Sequence, residues 1–127
     1  MPPTKSPTLT HAELRLMEVL WDRGPSTVHQ LLEDSTAKSL AYNSVLTTIR
    51  ILEKKGYVKH AKDGRAHVYM PVMGRKEATR SEVRNLVSRF FQDSHELLLL
   101  NILEDKSIDA EELNRLAHLV EGRAEKP

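Results

Sequence analysis

The sequence predicts a mainly α-helical fold with a minor β component, and three observations carry that prediction. Apolar residues recur at helical spacing along most of the chain, in segments opened by Thr or Asp and several times closed by Gly or Pro. One stretch, residues 57–70, changes to a period near two around the pair Asp63-Gly64. Charge is segregated: residues 38–65 hold seven Lys or Arg against two acidic side chains and residues 81–127 hold six against ten, although the whole chain carries only +1.

The first helix opens on a Thr10 cap and presents Leu14, Met17, Leu20 and Trp21 before Gly24 and Pro25 stop it. Thr27 with Gln30 has the capping-box spacing, and Val28, Leu31 and Leu32 give a second short helix its apolar stripe. A third runs from about Ala41 to Lys55, with Val45, Ile49 and Leu52 inward and Gly56 at the C-terminal cap. Residues 57–62 and 65–70 then flank Asp63-Gly64, a two-residue hairpin turn that sets Lys62 opposite Arg65, His60 opposite His67 and Val58 opposite Tyr69. Pro71, lacking an N–H, ends the second strand. Three helices and a hairpin, over residues 9–73 behind a polar tail at 1–8, have the order of a winged helix-turn-helix.

The third helix is the most informative element. With Val45, Ile49 and Leu52 inward, Asn43, Thr47, Arg50 and Lys54 share the opposite face. Asn can bond an adenine edge through both donor and acceptor, Thr offers a hydroxyl and a methyl, and Arg and Lys grip guanine or phosphate. Only the first turns of such a helix reach bases. Tyr42, Asn43, Ser44 and Thr47 are therefore assigned to the groove floor, and Arg50 and Lys54 to its wall or the phosphates. Lys38, together with Lys62 and Arg65 at the hairpin tip, completes the expected DNA-binding set. The alternative is a winged-helix module that docks on another protein, a use the same fold supports; a polar and basic reading face favours nucleic acid.

Residues 74–122 read as helical throughout. Val83, Leu86, Val87, Phe90 and Phe91 form one stripe in a helix starting near Arg75. Asp93 with Glu96 has capping-box spacing before Leu97, Leu98, Leu100, Ile102 and Leu103, and Asp109 with Glu112 repeats it before Leu113, Leu116, Ala117 and Val120. Three helices of this apolar density cannot cover themselves in so small a unit. A second copy of the chain is the expected cover, which makes this a three-helix dimerisation domain whose two-fold axis places two reading heads on a symmetric site. Residues 123–127 form a short tail.

Other function classes fit poorly. A chain of 127 residues is too short for a barrel enzyme of about 250 residues. With no cysteine it has no disulfide framework, thiolate metal site or cysteine nucleophile. Its six histidines are dispersed, with no pair at helical metal spacing; only His60 and His67 are expected neighbours, as a packed pair on the hairpin. No enzyme activity and no cofactor are expected. The longest apolar run is Leu97 to Leu100, and the N-terminal residues are polar and proline-rich, so a soluble cytoplasmic protein is expected.

From Leu9 to Val120 the chain resembles the penicillinase-repressor family (BlaI, MecI and CopY type). The matching stretches are LTHAELRLMEVLW, TVHQLLE, LAYNSVLTTIRILEKKGYV, KDGRAHVYMPV and LLLLNILEDKSIDAEELNRL. The resemblance implies a homodimeric winged-helix transcriptional repressor on a palindromic, double-stranded operator. It carries two induction routes. The copper route relies on C-terminal cysteines, which this chain lacks. The antibiotic route implies a membrane-bound sensor metalloprotease, or a protease it activates, and cleavage at an Asn-Phe bond; Asn101 matches, whereas Ile102 stands where the family has the aromatic residue.

Overall fold

The structure is a computed structural model describing residues 8–34 and 41–125. In chain order it forms α1 (His11–Arg23), α2 (Val28–Glu33), α3 (Tyr42–Lys55), β1 (Val58–Asp63), β2 (Ala66–Pro71), α4 (Arg75–Phe90), α5 (His95–Leu103) and α6 (Ala110–Glu125). Mainly helical with one two-stranded sheet, it has the expected fold class. The chain divides into two units between Asn85 and Leu86, so the boundary falls inside α4.

In the first unit local signals set the helix ends. Thr10 caps α1 by accepting from the Glu13 N–H at 3.2 Å, while the Glu13 carboxylate accepts from the Thr10 N–H at 2.8 Å. Thr27 and Gln30 make the same reciprocal pair on α2, at 3.2 and 2.9 Å. Gly56 closes α3 in the left-handed conformation at φ 89°, which an L side chain adopts only with strain. The core joins Leu16, Met17, Val19 and Leu20 of α1 to Val28, Leu31, Val45, Ile49 and Leu52, with Tyr57, Val58 and Tyr69 from the wing and Ala78 from α4.

The inward face of α1 differs from the expected one. Leu14 is exposed, and Leu16 and Val19 take the inward positions. The buried arc centres near Leu20, and at 100° per residue Leu14 lies roughly 120° around the helix from it. Trp21, half-buried, donates its Nε1–H to the Met73 carbonyl at 2.9 Å.

The hairpin register also differs. Val58 pairs with Pro71, His60 with Tyr69, Lys62 with His67 and Asp63 with Ala66. The central turn residues are Gly64 and Arg65, not Asp63 and Gly64. Only Gly64 takes positive φ, 65°, as a type II′ turn with Gly first requires, whereas the expected turn needs two left-handed residues. A short bridge anchors β2: the Ser26 N–H donates to the Tyr69 carbonyl at 2.9 Å, and the Tyr69 N–H donates back at 2.8 Å.

The second unit holds the end of α4 with α5 and α6. Gln92 and Asp93 both take positive φ, 53° and 63°, so Asp93 turns the chain and does not cap. Ser94 caps α5 instead, accepting from the Leu97 N–H at 3.1 Å. The expected Asp109 cap is present on α6, with the Glu112 N–H donating to its carboxylate at 2.8 Å. Neither α5 nor α6 contains a buried residue. They border an apolar groove of about 620 Å³ whose lining includes Leu99, Ile102, Leu103, Leu113, Leu116 and Val120.

Candidate nucleic-acid interface

Three fully buried side chains orient α3. Val45, Ile49 and Leu52 hold one face in the core, which turns Tyr42, Asn43, Ser44, Thr47, Arg50 and Lys54 outward. All six are exposed; Asn43, Thr47, Arg50 and Lys54 lie on the face opposite the core that the sequence assigned to them, and Tyr42 and Ser44 stand in the first turn. Lys38 lies outside the described residues.

The wing stands beside this face. Lys62 and Arg65 are both exposed, but they are not cross-strand partners: Lys62 faces His67, and Arg65 sits in the turn itself. Pairs shifted by two positions keep the same strand faces, so His60, His67 and Tyr69 still meet. The two imidazoles stack at 4.6 Å and 14°, and His60 lies 5.4 Å from the Tyr69 ring. His60 Nδ1 is 2.6 Å from the Glu53 carboxylate, which ties β1 to the last turns of α3. Among the described residues no group of three or more His, Cys, Asp or Glu could hold a metal ion.

Arg50 and Arg65 border a common cleft with Tyr42 and Tyr69. Burial first, and then the Glu53 charge, push the Tyr69 phenol above its ordinary range, while Arg50 acts in the opposite sense through charge and a hydrogen bond. The phenol therefore stays protonated. Arg50 thus lines the cleft between helix and wing as well as being an exposed cation.

Sequence reasoning missed the partner of Lys55. Its Nζ lies 2.7 Å from the buried Glu13 carboxylate and donates to the Thr8 carbonyl at 3.1 Å. Burial alone raises Glu13, but hydrogen bonds from Lys55 and the Thr10 backbone, with the Lys55 charge, hold its carboxyl below the ordinary value. One of the seven cations of residues 38–65 is therefore engaged inside the protein. The signal available was the position of Glu13 on the apolar arc of α1, four residues before Met17.

In the second unit Asn101 is exposed and Ile102 half-buried, both within regular α5. The expected dimerisation residues Leu97, Leu100 and Val120 are exposed, and Leu113 and Leu116 half-buried; along α4, Val83, Leu86 and Phe90 are exposed. No helix among the described residues is long and apolar enough to cross a membrane.

Several known proteins are similar to this chain along most of its length. The penicillinase repressor of Bacillus licheniformis is 27% identical over 118 residues, spanning 92% of each chain. The transcriptional regulator BlaI of Mycobacterium tuberculosis is 37% identical over 120 residues, 91% of this chain and 87% of that one. The methicillin resistance regulatory protein MecI of Staphylococcus aureus is 20% identical over 117 residues, 91% and 95%. Among solved structures, the DNA-binding domain of the repressor BlaI superposes with a TM-score of 0.50 at 28% identity, covering 56% of this chain and 88% of that domain. Residues 9–122 match the penicillinase repressor profile, and the chain belongs to that family.

Proposed function

We propose that this protein represses transcription as a homodimer, laying α3 of each copy into a major groove of a palindromic operator and each wing along the adjoining phosphates. Family membership makes it a DNA-binding transcriptional repressor rather than an enzyme. The observation that carries the reading is the orientation of α3: its buried Val45, Ile49 and Leu52 leave Asn43 and Thr47 outward in the first turns, where base edges are reached. In this scheme residues 9–73 are the reading head and residues 74–122 the dimerisation domain. Exposed apolar side chains along α5 and α6 support a second copy as their cover. The protein works in the cytoplasm without a cofactor. Cleavage between Asn101 and Ile102, by a sensor metalloprotease or a protease it activates, would release the operator by breaking α5.

Alanine substitution tests the reading head. Asn43→Ala or Thr47→Ala should each cost about 1–3 kcal/mol on the operator and leave binding to mixed-sequence duplex nearly unchanged. Equal losses on both duplexes would remove these residues from the bases.

A further inference from the structure

Between α2, α3 and β2 of the first unit lies an open cleft of about 370 Å³. Its polar lining includes Tyr42 and Arg50 from α3, His29 from α2, and Arg65, His67 and Tyr69 from the wing. No described residue lining it is acidic. The acidic group nearest in influence, Glu53, is held by His60 at 2.6 Å. Two guanidiniums facing a cleft without a carboxylate match the fork geometry of a phosphate. The Tyr69 hydroxyl remains a donor, and each neutral imidazole has one donating nitrogen, rising to two on protonation.

We propose that this cleft is a phosphate seat, occupied by a backbone phosphate of the bound duplex, with Arg50 and Arg65 as its cationic jaws and His29 and His67 as its walls. The proposal rests on the DNA-binding reading and adds two histidines to it. A backbone phosphate is the fitting source because the cleft separates the two elements expected to straddle the backbone, α3 on the major-groove side and the wing on the other. Histidine is the side chain whose charge ordinarily changes between pH 5 and 8, so a phosphate in the cleft couples duplex binding to proton uptake. His67 meets Lys62 across the strands, the stacked His60 and Tyr69, with Arg65 on the same cleft; α3 brings Tyr42 and Arg50, and Glu53 acts through His60. His29 lies 5.1 Å from Tyr42.

The test uses the full chain, a mixed-sequence duplex and fixed salt. Affinity measured by fluorescence anisotropy should be about fivefold tighter at pH 6.0 than at pH 7.5. In the double variant His29→Gln/His67→Gln the difference should shrink below about twofold, with the far-UV spectrum unchanged. In wild type the imidazole proton resonances of both histidines should move on adding duplex and stay in place with millimolar inorganic phosphate. A pH-independent wild-type affinity, or a double variant that keeps the full response, overturns the seat. Resonances that move with inorganic phosphate alone make it a free-anion site and overturn the assigned occupant. Failure of wild type to bind any duplex at low salt overturns the DNA-binding reading itself and the proposal with it.

Discussion

Replacing Glu13 by Gln tests whether the buried pair between α1 and α3 is a structural element. The Glu13 side chain is 4% exposed and that of Lys55 16%, with 2.7 Å between their charged atoms. At that distance and an effective dielectric of about 20, the attraction is about 6 kcal/mol before the cost of burying both charges. In the Glu13→Gln variant the side-chain amide oxygen would still accept from the Thr10 N–H, and Lys55 would keep Thr8. The loss therefore falls near the lower end for a broken buried pair, about 3 kcal/mol at pH 7. The pH dependence has a defined sign. Glu13 lies below its ordinary value of 4.5 when folded, so its stabilisation is complete above that value and is lost as pH falls through the folded pKa. Wild type and Glu13→Gln should therefore converge in acid. Trp21 is the sole tryptophan and lies in the first unit, so urea unfolding followed by its fluorescence reports on that unit. A loss below about 1 kcal/mol at pH 7, or an equal loss at pH 7 and pH 3, would refute this account.

The same geometry bears on duplex binding and on assembly. Lys54→Ala should lower the salt dependence of duplex binding by roughly one unit, whereas Lys55→Met should leave the slope unchanged because that ammonium is engaged by Glu13; a plot of affinity against salt separates the two. A chain ending at Asn101 loses Ile102, Leu113, Leu116 and Val120 from the apolar groove, so sedimentation should show a monomer, with operator affinity reduced on the order of a hundredfold while each reading head stays intact.

What the sequence made legible is what depends on close neighbours. The Thr10 cap, the Thr27 box, Gly56 and the Asp109 cap all act within four residues, and each is present. The outward face of α3 was equally legible, because one buried triad fixes a helix about its axis. The misses have particular causes. Asp63-Gly64 satisfies two turn types with different demands on Asp63, and the one formed leaves Asp63 in its strand opposite Ala66. Ser94 displaced Asp93 as a cap because the chain leaving α4 uses Gln92 and Asp93 in left-handed conformations, a choice spacing alone does not reveal. Glu13 and Lys55 are 42 residues apart in sequence, and no local pattern couples them.

That pair also changes how the basic stretch is understood. Counting charges makes residues 38–65 a uniform cationic band, but the fold sorts them. Lys55 turns inward to Glu13, closing the C-terminal end of α3 against the start of α1. Arg50 reaches toward Tyr69, while Lys54, Lys62 and Arg65 remain at the surface of helix and wing. A duplex that meets this unit would encounter cations in two rows with a cleft between them, and the row on α3 is oriented by the same buried residues that hold the core together. A substitution at Val45 or Ile49 should therefore disturb base recognition and stability together, whereas one at Arg65 should weaken binding to every sequence alike. On the proposed reading, specificity would depend on how firmly the core holds α3, and sequence-independent affinity on how much charge the surface of α3 and the wing retains.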